Sequence, residues 1–553
     1  MPVWEEHGYT RKDDEGNIIT LEEYEARNPG KAFTWADFKL YAICGVGFML
    51  DSYDLFIVNL ASPIWAYEFF TSGDLDHTKK VPSPTIPFLV RGAVNAAANI
   101  GNVAGQISFG FLGDAFGRKF VYGKELIIAI IGIILIISLP VNGSAGLKTG
   151  VQKMWYLFGF RFLLGVGIGG DYPMSAAIVA ERSTLGNRGR MLGWIFSNQG
   201  WGTLAASIVT CILLPCFKHS LTNGKFGHID AIWRLQIGLA LVPCFALLYF
   251  RLTMPESRKF TQSTELSAAV HSLNNSNVDI VKEEKGVKTV AGAEVDRRAS
   301  VVEAHAHKPS KSVQMTAFIQ YFKQPRHALT LFGCAFTWFL LDVAFYGVNL
   351  NQSVILTDIG YATGSNPYNY LLRNAEGNLI IAVAGYVPGY FITIAFIEIL
   401  GRKWIQIQGF LVTALMFGIL AGTTHISSGA RFALLVIAQL FMNFGPNATT
   451  FIVPGEVFPS RVRGLAHGFC AAVGKLGAIL SGIGFNWWSQ KDHKKYPGSI
   501  GLSGVLWIFF AFQLLGAVVT FFCVPETKGI DADAIDYEEV QARVARESNG
   551  QSD

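Results

Sequence analysis

Apolar residues in this chain gather into long runs separated by short polar loops. A helix that crosses a bilayer needs about 20 mostly apolar residues. On that ruler the chain reads as twelve spans: residues 37–66, 87–113, 119–140, 153–180, 188–216, 230–253, 326–357, 376–400, 403–424, 430–455, 463–488 and 500–524. The third, ninth and twelfth are the cleanest; several others carry polar groups inside the run. The pattern predicts an all-α membrane protein. It also predicts a division: a polar segment at 1–36, a first half at 37–254, a second half at 324–525 and a tail at 526–553. Between the halves, residues 255–323 are rich in Ser, Asn, Lys and Glu and carry little apolar periodicity, which predicts a largely disordered linker with room for surface helix.

Composition agrees with that picture. The chain is 51% hydrophobic and 16% charged, against roughly 25% charged in soluble domains. A net charge of +4 is too small to point to nucleic acid. The seven cysteines lie in or beside apolar runs, without CxxC pairs or His at ligand spacing, so they read as small buried hydrophobes, and no metal or cofactor is called for. Charge placement sets the topology. Arg118, Lys119, Arg182, Arg188, Arg190, Arg402, Lys403, Arg461 and Arg463 all fall in loops on one side of a twelve-span chain. That side is expected to be the cytoplasm, and both termini with it.

The two halves repeat. Gly117-Arg118-Lys119 recurs as Gly401-Arg402-Lys403. Glu181, seven residues before Arg188-Gly189, recurs as Glu456, seven before Arg463-Gly464. Pro255-Glu256-Ser257 recurs as Pro525-Glu526-Thr527. A duplicated six-helix half with a cleft between the copies is the architecture of a secondary transporter.

Ionisable groups at membrane depth are costly and mark function by default. Span one carries Asp51 and Asp54, which share a face; span four carries Arg161 and Asp171, about 15 Å apart by helical rise. Span seven carries Trp338, Asp342 and Tyr346 on one stripe. Span five offers Gln199, span ten Asn443 and Asn447, and span eleven the lone cation Lys475. Each has a plainer reading: aromatic stripes are often packing, and buried amides often join helices. Taken together, Trp, Lys, Tyr, Gln and Asn form a donor-rich set suited to a tetrahedral oxyanion. An ionised Asp342 would repel that anion, whereas the protonated carboxyl would donate to it. Proton and anion are therefore expected to bind together, which is a design for symport.

The stretch Leu163 to Pro173, LLGVGIGGDYP, contains G-x-G-x-x-G at Gly165, Gly167 and Gly170. A dinucleotide loop must follow a strand and open a helix, whereas these glycines lie inside a span. They are expected instead to let another helix approach closely, with span one the expected neighbour and Asp171 facing the cleft beside Tyr172.

Several motifs resemble known families. GFLGDAFGRK (Gly110 to Lys119) is similar to the loop motif of the major facilitator superfamily, and PETKG (Pro525 to Gly529) to the terminal motif of its sugar-porter-like members. GIGGDYPMSAAIVAE (Gly167 to Glu181), the acidic pair Asp51 and Asp54, WFLLDVAFYG and PGEVFPSRVRG resemble the proton-coupled inorganic phosphate transporters of fungi and plants. The resemblance implies phosphate:H+ symport, with arsenate as a competitor, across a plasma membrane. It implies phosphate contacts for Tyr172, Gln199, Trp338, Asp342, Tyr346 and Asn447, with Lys475 near the site. It implies proton handling by Asp51 and Asp171, with Asp342 joining proton to substrate; Asp54 is added from its place on the span-one face. Asp114, which can accept from a neighbouring helix N-terminus or Arg, is expected to form a cytoplasmic latch with Arg118, Glu181, Arg188, Glu456 and Arg463. A sugar or organic-ion porter of the same fold, and a phosphate-sensing receptor, are the alternatives.

Overall fold

A computed structural model describes residues 10–12, 18–20, 35–71, 86–140, 147–183, 186–226, 229–253, 311–423, 425–490 and 496–539. The third sequence repeat at Pro255-Glu256-Ser257, and most of the linker, lie outside the described residues. Within the expected linker, Lys311–Phe322 forms a helix that leads into span seven. The short antiparallel pair Thr10–Lys12 with Ile18–Thr20 is the sole β structure among the described residues.

Among the described residues, eleven helices are long and apolar enough to cross a membrane. The twelfth crossing is Phe88–Phe116, 29 residues long. Asn95, Asn99, Asn102 and Gln106 dilute its hydropathy, but all four are buried. It sits in the bundle between span four (Gly150–Arg182) and span eleven (Arg463–Trp488). A helix whose polar face is covered by other helices need not be apolar all round; what the bilayer demands is that its backbone bonds close internally.

Spans two and eleven pack together across the halves, as do span five (Arg188–Cys216) and the two pieces of span eight, Pro367–Ile381 and Val387–Leu400. Three breaks position side chains at the centre. Span seven (Pro325–Asn349) ends sooner than its apolar run, and Gln352–Asp358 follows as a separate helix. Span eight contains a π turn at Ala382–Tyr386 just before Pro388, where the imino acid has no N–H to give to a regular α ladder. Span ten divides into Ser428–Asn443 and Pro446–Val457, with Pro446 opening the second piece.

The span-four glycines do not face span one. A Cβ on Gly169 would lie 2.5 Å from the Asn102 carbonyl oxygen of span two, and one on Gly167 would lie 2.6 Å from the Ala129 nitrogen of span three (Lys124–Ile137). Gly165 is held against the Ala98 backbone in the same way. Three glycines spaced two residues apart meet two different neighbours because alternate positions lie about 200° apart around a helix. Gly169→Val is therefore expected to push spans two and four apart and to remove the monodisperse species on gel filtration in detergent. Gly159→Ala, at a position with no atom within 4 Å of the added carbon, should leave that species unchanged.

Candidate substrate site between the halves

The stripe on span seven meets span eleven at mid-bundle. Lys475 donates to Asp342 Oδ2 at 2.9 Å and to the Tyr346 hydroxyl at 2.8 Å. Its ammonium also lies 4.2 Å from the centre of the Tyr346 ring and 5.3 Å from that of Tyr172. A charged amine placed between a carboxylate and two aromatic faces keeps its charge satisfied in a water-poor place. Trp338, one turn away, packs on His467 and Phe451 with ring centres 5.6 and 6.5 Å apart. Gly474 leaves room for its indole.

A second group joins spans five, eight and ten. Asn447 Nδ2, with two protons to give, lies 2.6 Å from the Tyr390 hydroxyl and 2.7 Å from Asn443 Oδ1, with Gln199 Oε1 farther off at 3.0 Å. Tyr390 in turn donates to Gln199 Oε1 at 2.5 Å. Phe196 and Phe451 stack on each other and pack against Trp338, Tyr172 and Tyr390, so the two groups form one closely packed site, called the chamber below, with residues drawn from both halves. Of Tyr172, Gln199, Trp338, Asp342, Tyr346, Asn447 and Lys475, none is more than 4% exposed, so the site is closed to solvent in this conformation.

The acids of span one divide. Asp51 faces Asp171 and lies near Tyr172 and Tyr346. Asp54 is within electrostatic reach of Arg161 but makes no ion pair with it, and Asp54 Oδ1 and Arg161 Nη2 are both buried without a hydrogen-bond partner. Asp171 is not turned to the cleft as its position beside Tyr172 suggested. It accepts from Arg251 of span six at 2.5 Å and from Ser175 at 2.5 Å, and Arg251 also donates to Glu125 at 3.0 Å. Successive residues of a helix point about 100° apart, so Tyr172 takes the chamber and Asp171 the seam with spans three and six. Arg251 lies at the end of its span, and nothing in its spacing along the sequence reveals a buried partner.

One family matches over residues 40–538, described as "Sugar (and other) transporter". A Schizosaccharomyces pombe protein named for inorganic phosphate transport is 50% identical over 95% of this chain and 93% of its own. The inorganic phosphate transporter PHO84 of Saccharomyces cerevisiae is 37% identical over 90% of this chain and 84% of its own. The chain belongs to the sugar (and other) transporter family, in its phosphate-transporter branch. Among solved structures, the major facilitator proton:xylose symporter XylE matches with a TM-score of 0.64 at 17% identity, covering 91% of this chain and 98% of that one. That likeness shows the fold: the transporter is a multi-pass membrane protein with a major facilitator architecture.

At one end of the transporter, acids of each half hold helix N-termini of the other. Asp114 accepts the free N–H groups of Gly464 and Leu465 at 3.2 and 2.7 Å. Glu398 accepts the N–H of Arg190 at 3.1 Å. Each acid lies four residues before a matching arginine. Arg118 pairs with Asp114 at 3.0 Å and Glu181 at 2.8 Å, and reaches the Ser460 carbonyl at 3.3 Å. Arg402 pairs with Glu398 and Glu456, both at 2.7 Å. The opening N–H groups of a helix have no intrahelical acceptor, so a carboxylate there gains both hydrogen bonds and the helix field. Glu398 carries no signal of its own in the sequence; only superposing the repeat on Asp114 reveals it. Arg463 donates to the Phe458 carbonyl, to Ser460 and to Asp533 of the tail. Arg188 is buried, and none of its three side-chain nitrogens has a hydrogen-bond partner.

The opposite end is closed by neutral groups. Asn59 donates to Asn378 at 2.8 Å and accepts the N–H of Ser353 at 2.9 Å, while Asn95 and Asn486 both donate to Asn351, at 3.3 and 2.9 Å. Charged bonds therefore join the halves at one end and amide bonds at the other, with the chamber between.

Proposed function

We propose that the transporter imports inorganic phosphate together with protons by alternating access through the chamber. The observation that carries this reading is the Lys475–Asp342 pair, buried among donor-rich side chains. A hexose has no charge to satisfy a buried ammonium, whereas phosphate does. The relatives named for inorganic phosphate support the same substrate.

Coupling follows from competition for Lys475. While Asp342 is ionised it occupies the ammonium and repels an arriving anion. A proton on Asp342 removes that charge, frees Lys475, and turns the carboxyl into a donor. Dihydrogen phosphate can then take Lys475, with Gln199, Asn447, Tyr172, Tyr346 and Trp338 supplying further donors. Loss of the proton returns Asp342 to Lys475 and expels the anion. In this reading Asp51 passes a proton between the chamber and the Arg251 seam, which its electrostatic coupling to Asp171 supports. The end held by Asp114 and Glu398 is the cytoplasmic one in this reading, with both termini on that side and the protein in the plasma membrane. Arsenate, of similar shape and charge, competes.

The test is radiolabelled phosphate uptake into reconstituted vesicles under an imposed pH gradient, acid outside. Uptake is expected to rise with the gradient, to be inhibited by arsenate, and to ignore glucose. Gradient-driven glucose uptake without phosphate uptake would replace this reading with a sugar porter.

A further inference from the structure

A primary amide presents donors or an acceptor according to how it is turned, and in this chamber a relay sets the turn. Its origin is the Gln439 backbone carbonyl, which can only accept. Asn443 Nδ2 donates to it at 2.6 Å. Asn443 must then show Oδ1 to Asn447, which answers with Nδ2 at 2.7 Å. That nitrogen faces Gln199 Oε1 at 3.0 Å and the Tyr390 hydroxyl at 2.6 Å. With its oxygen already accepting, Tyr390 has one proton to give, and gives it to Gln199 Oε1 at 2.5 Å. Asn447 has only two protons, spent on Asn443 and Tyr390, so the Tyr390 hydroxyl is the donor that fixes the Gln199 oxygen, and Nε2 is the free end of that amide.

The seat of Tyr390 is shaped for this contact. Its ring packs edge-on against Phe196, with centres 5.9 Å apart. Gly200, next to Gln199, clears the space: a Cβ there would lie 3.1 Å from the Tyr390 ring. The phenol is buried at 1% exposure and lies on span eight, just beyond the π turn that interrupts it.

We propose that Tyr390 is a positioning residue, backed by Asn443, that locks the Gln199 amide with its N–H end free for an oxyanion. The inference rests on the phosphate reading above. A sugar hydroxyl both donates and accepts, so either end of the amide would serve it. An oxyanion gains from N–H and is repelled by a carbonyl oxygen, so for an anion the orientation decides affinity.

The experiment compares wild type, Tyr390→Phe, Gln199→Ala and the double variant in vesicles, with initial phosphate uptake measured against phosphate concentration. Tyr390→Phe is expected to raise KM about tenfold, the scale of one well-made hydrogen bond, with kcat moving far less. In the Gln199→Ala background the same change should add less than about twofold, because the group it positions has gone. Asn443→Ala cuts the relay one step earlier and should raise KM selectively too; it serves as the test if Tyr390→Phe does not fold. An unchanged KM in the folded variant, or effects that multiply in the double variant, overturns the positioning role while phosphate transport stands. A wild type that takes up no phosphate overturns both.

Discussion

Asparagine in place of Asp342 is expected to end concentrative phosphate uptake while leaving phosphate able to bind. The amide can still accept from Lys475, as the carboxylate does at 2.9 Å, and it still carries donors for the anion. What it cannot do is titrate. Each proton moved down a gradient of one pH unit supplies about 1.4 kcal/mol, enough for about tenfold accumulation. In wild-type vesicles with the membrane potential clamped, the accumulation ratio should therefore rise about tenfold per pH unit for each coupled proton. In the Asp342→Asn variant it should stay flat, near the equilibrium ratio. Phosphate counterflow between equal concentrations needs no net proton movement, and it should survive better than uphill uptake. A variant that still accumulates phosphate in proportion to the pH gradient would remove Asp342 from the coupling and leave Asp51 as the acid to test.

Alanine in place of Arg118 is expected to be the most destabilising single change at the charged end. Arg118 is 1% exposed and neutralises Asp114 and Glu181, which are 3% and 0% exposed. Removing one partner of a buried ion pair costs about 3–5 kcal/mol, because the charge left behind has neither water nor counter-ion. Here two carboxylates are left, and Asp114 is also the group that holds the start of span eleven. The variant should melt at a lower temperature in detergent, and amide hydrogen exchange over residues 463–466 should become faster than in wild type. Arg402→Ala makes the matching change in the other half, and should speed exchange at Arg190, whose N–H Glu398 holds. Unchanged exchange at both helix starts would mean that these acids do not join the halves.

Membrane crossing was legible because its rule is local. A run of apolar residues with the right length must span, whatever packs against it, and the repeats at Gly117 and Gly401 marked the duplication without any structure. Phe88–Phe116 shows the limit of that rule: its buried amides lower the hydropathy of a helix that lies inside the bundle. Direction was harder. The glycines of span four were recognised as a contact face, but the sequence does not say whose, and they meet spans two and three. Asp171 and Tyr172 are adjacent in the chain, yet one faces Arg251 and the other the chamber.

The candidate site divides in the same way. Asp342, Lys475, Gln199 and Asn447 stood out because a polar group in an apolar run is conspicuous wherever its partner lies. Tyr390, Arg251 and Glu398 did not, since a tyrosine inside a span, an arginine at a span's end and an acid before a loop each have an ordinary explanation. By itself, then, the sequence determined what had to be buried in the bilayer and which side chains were too polar to lie there idle, because the energy of transfer from water belongs to each residue separately. Only the tertiary structure decided which of them meet: that Lys475 answers Asp342 from another helix, that Asp171 belongs to Arg251, and that Tyr390 turns the Gln199 amide. Pairing depends on distance and direction between segments far apart in the chain, and those are set by the packing of all the helices at once.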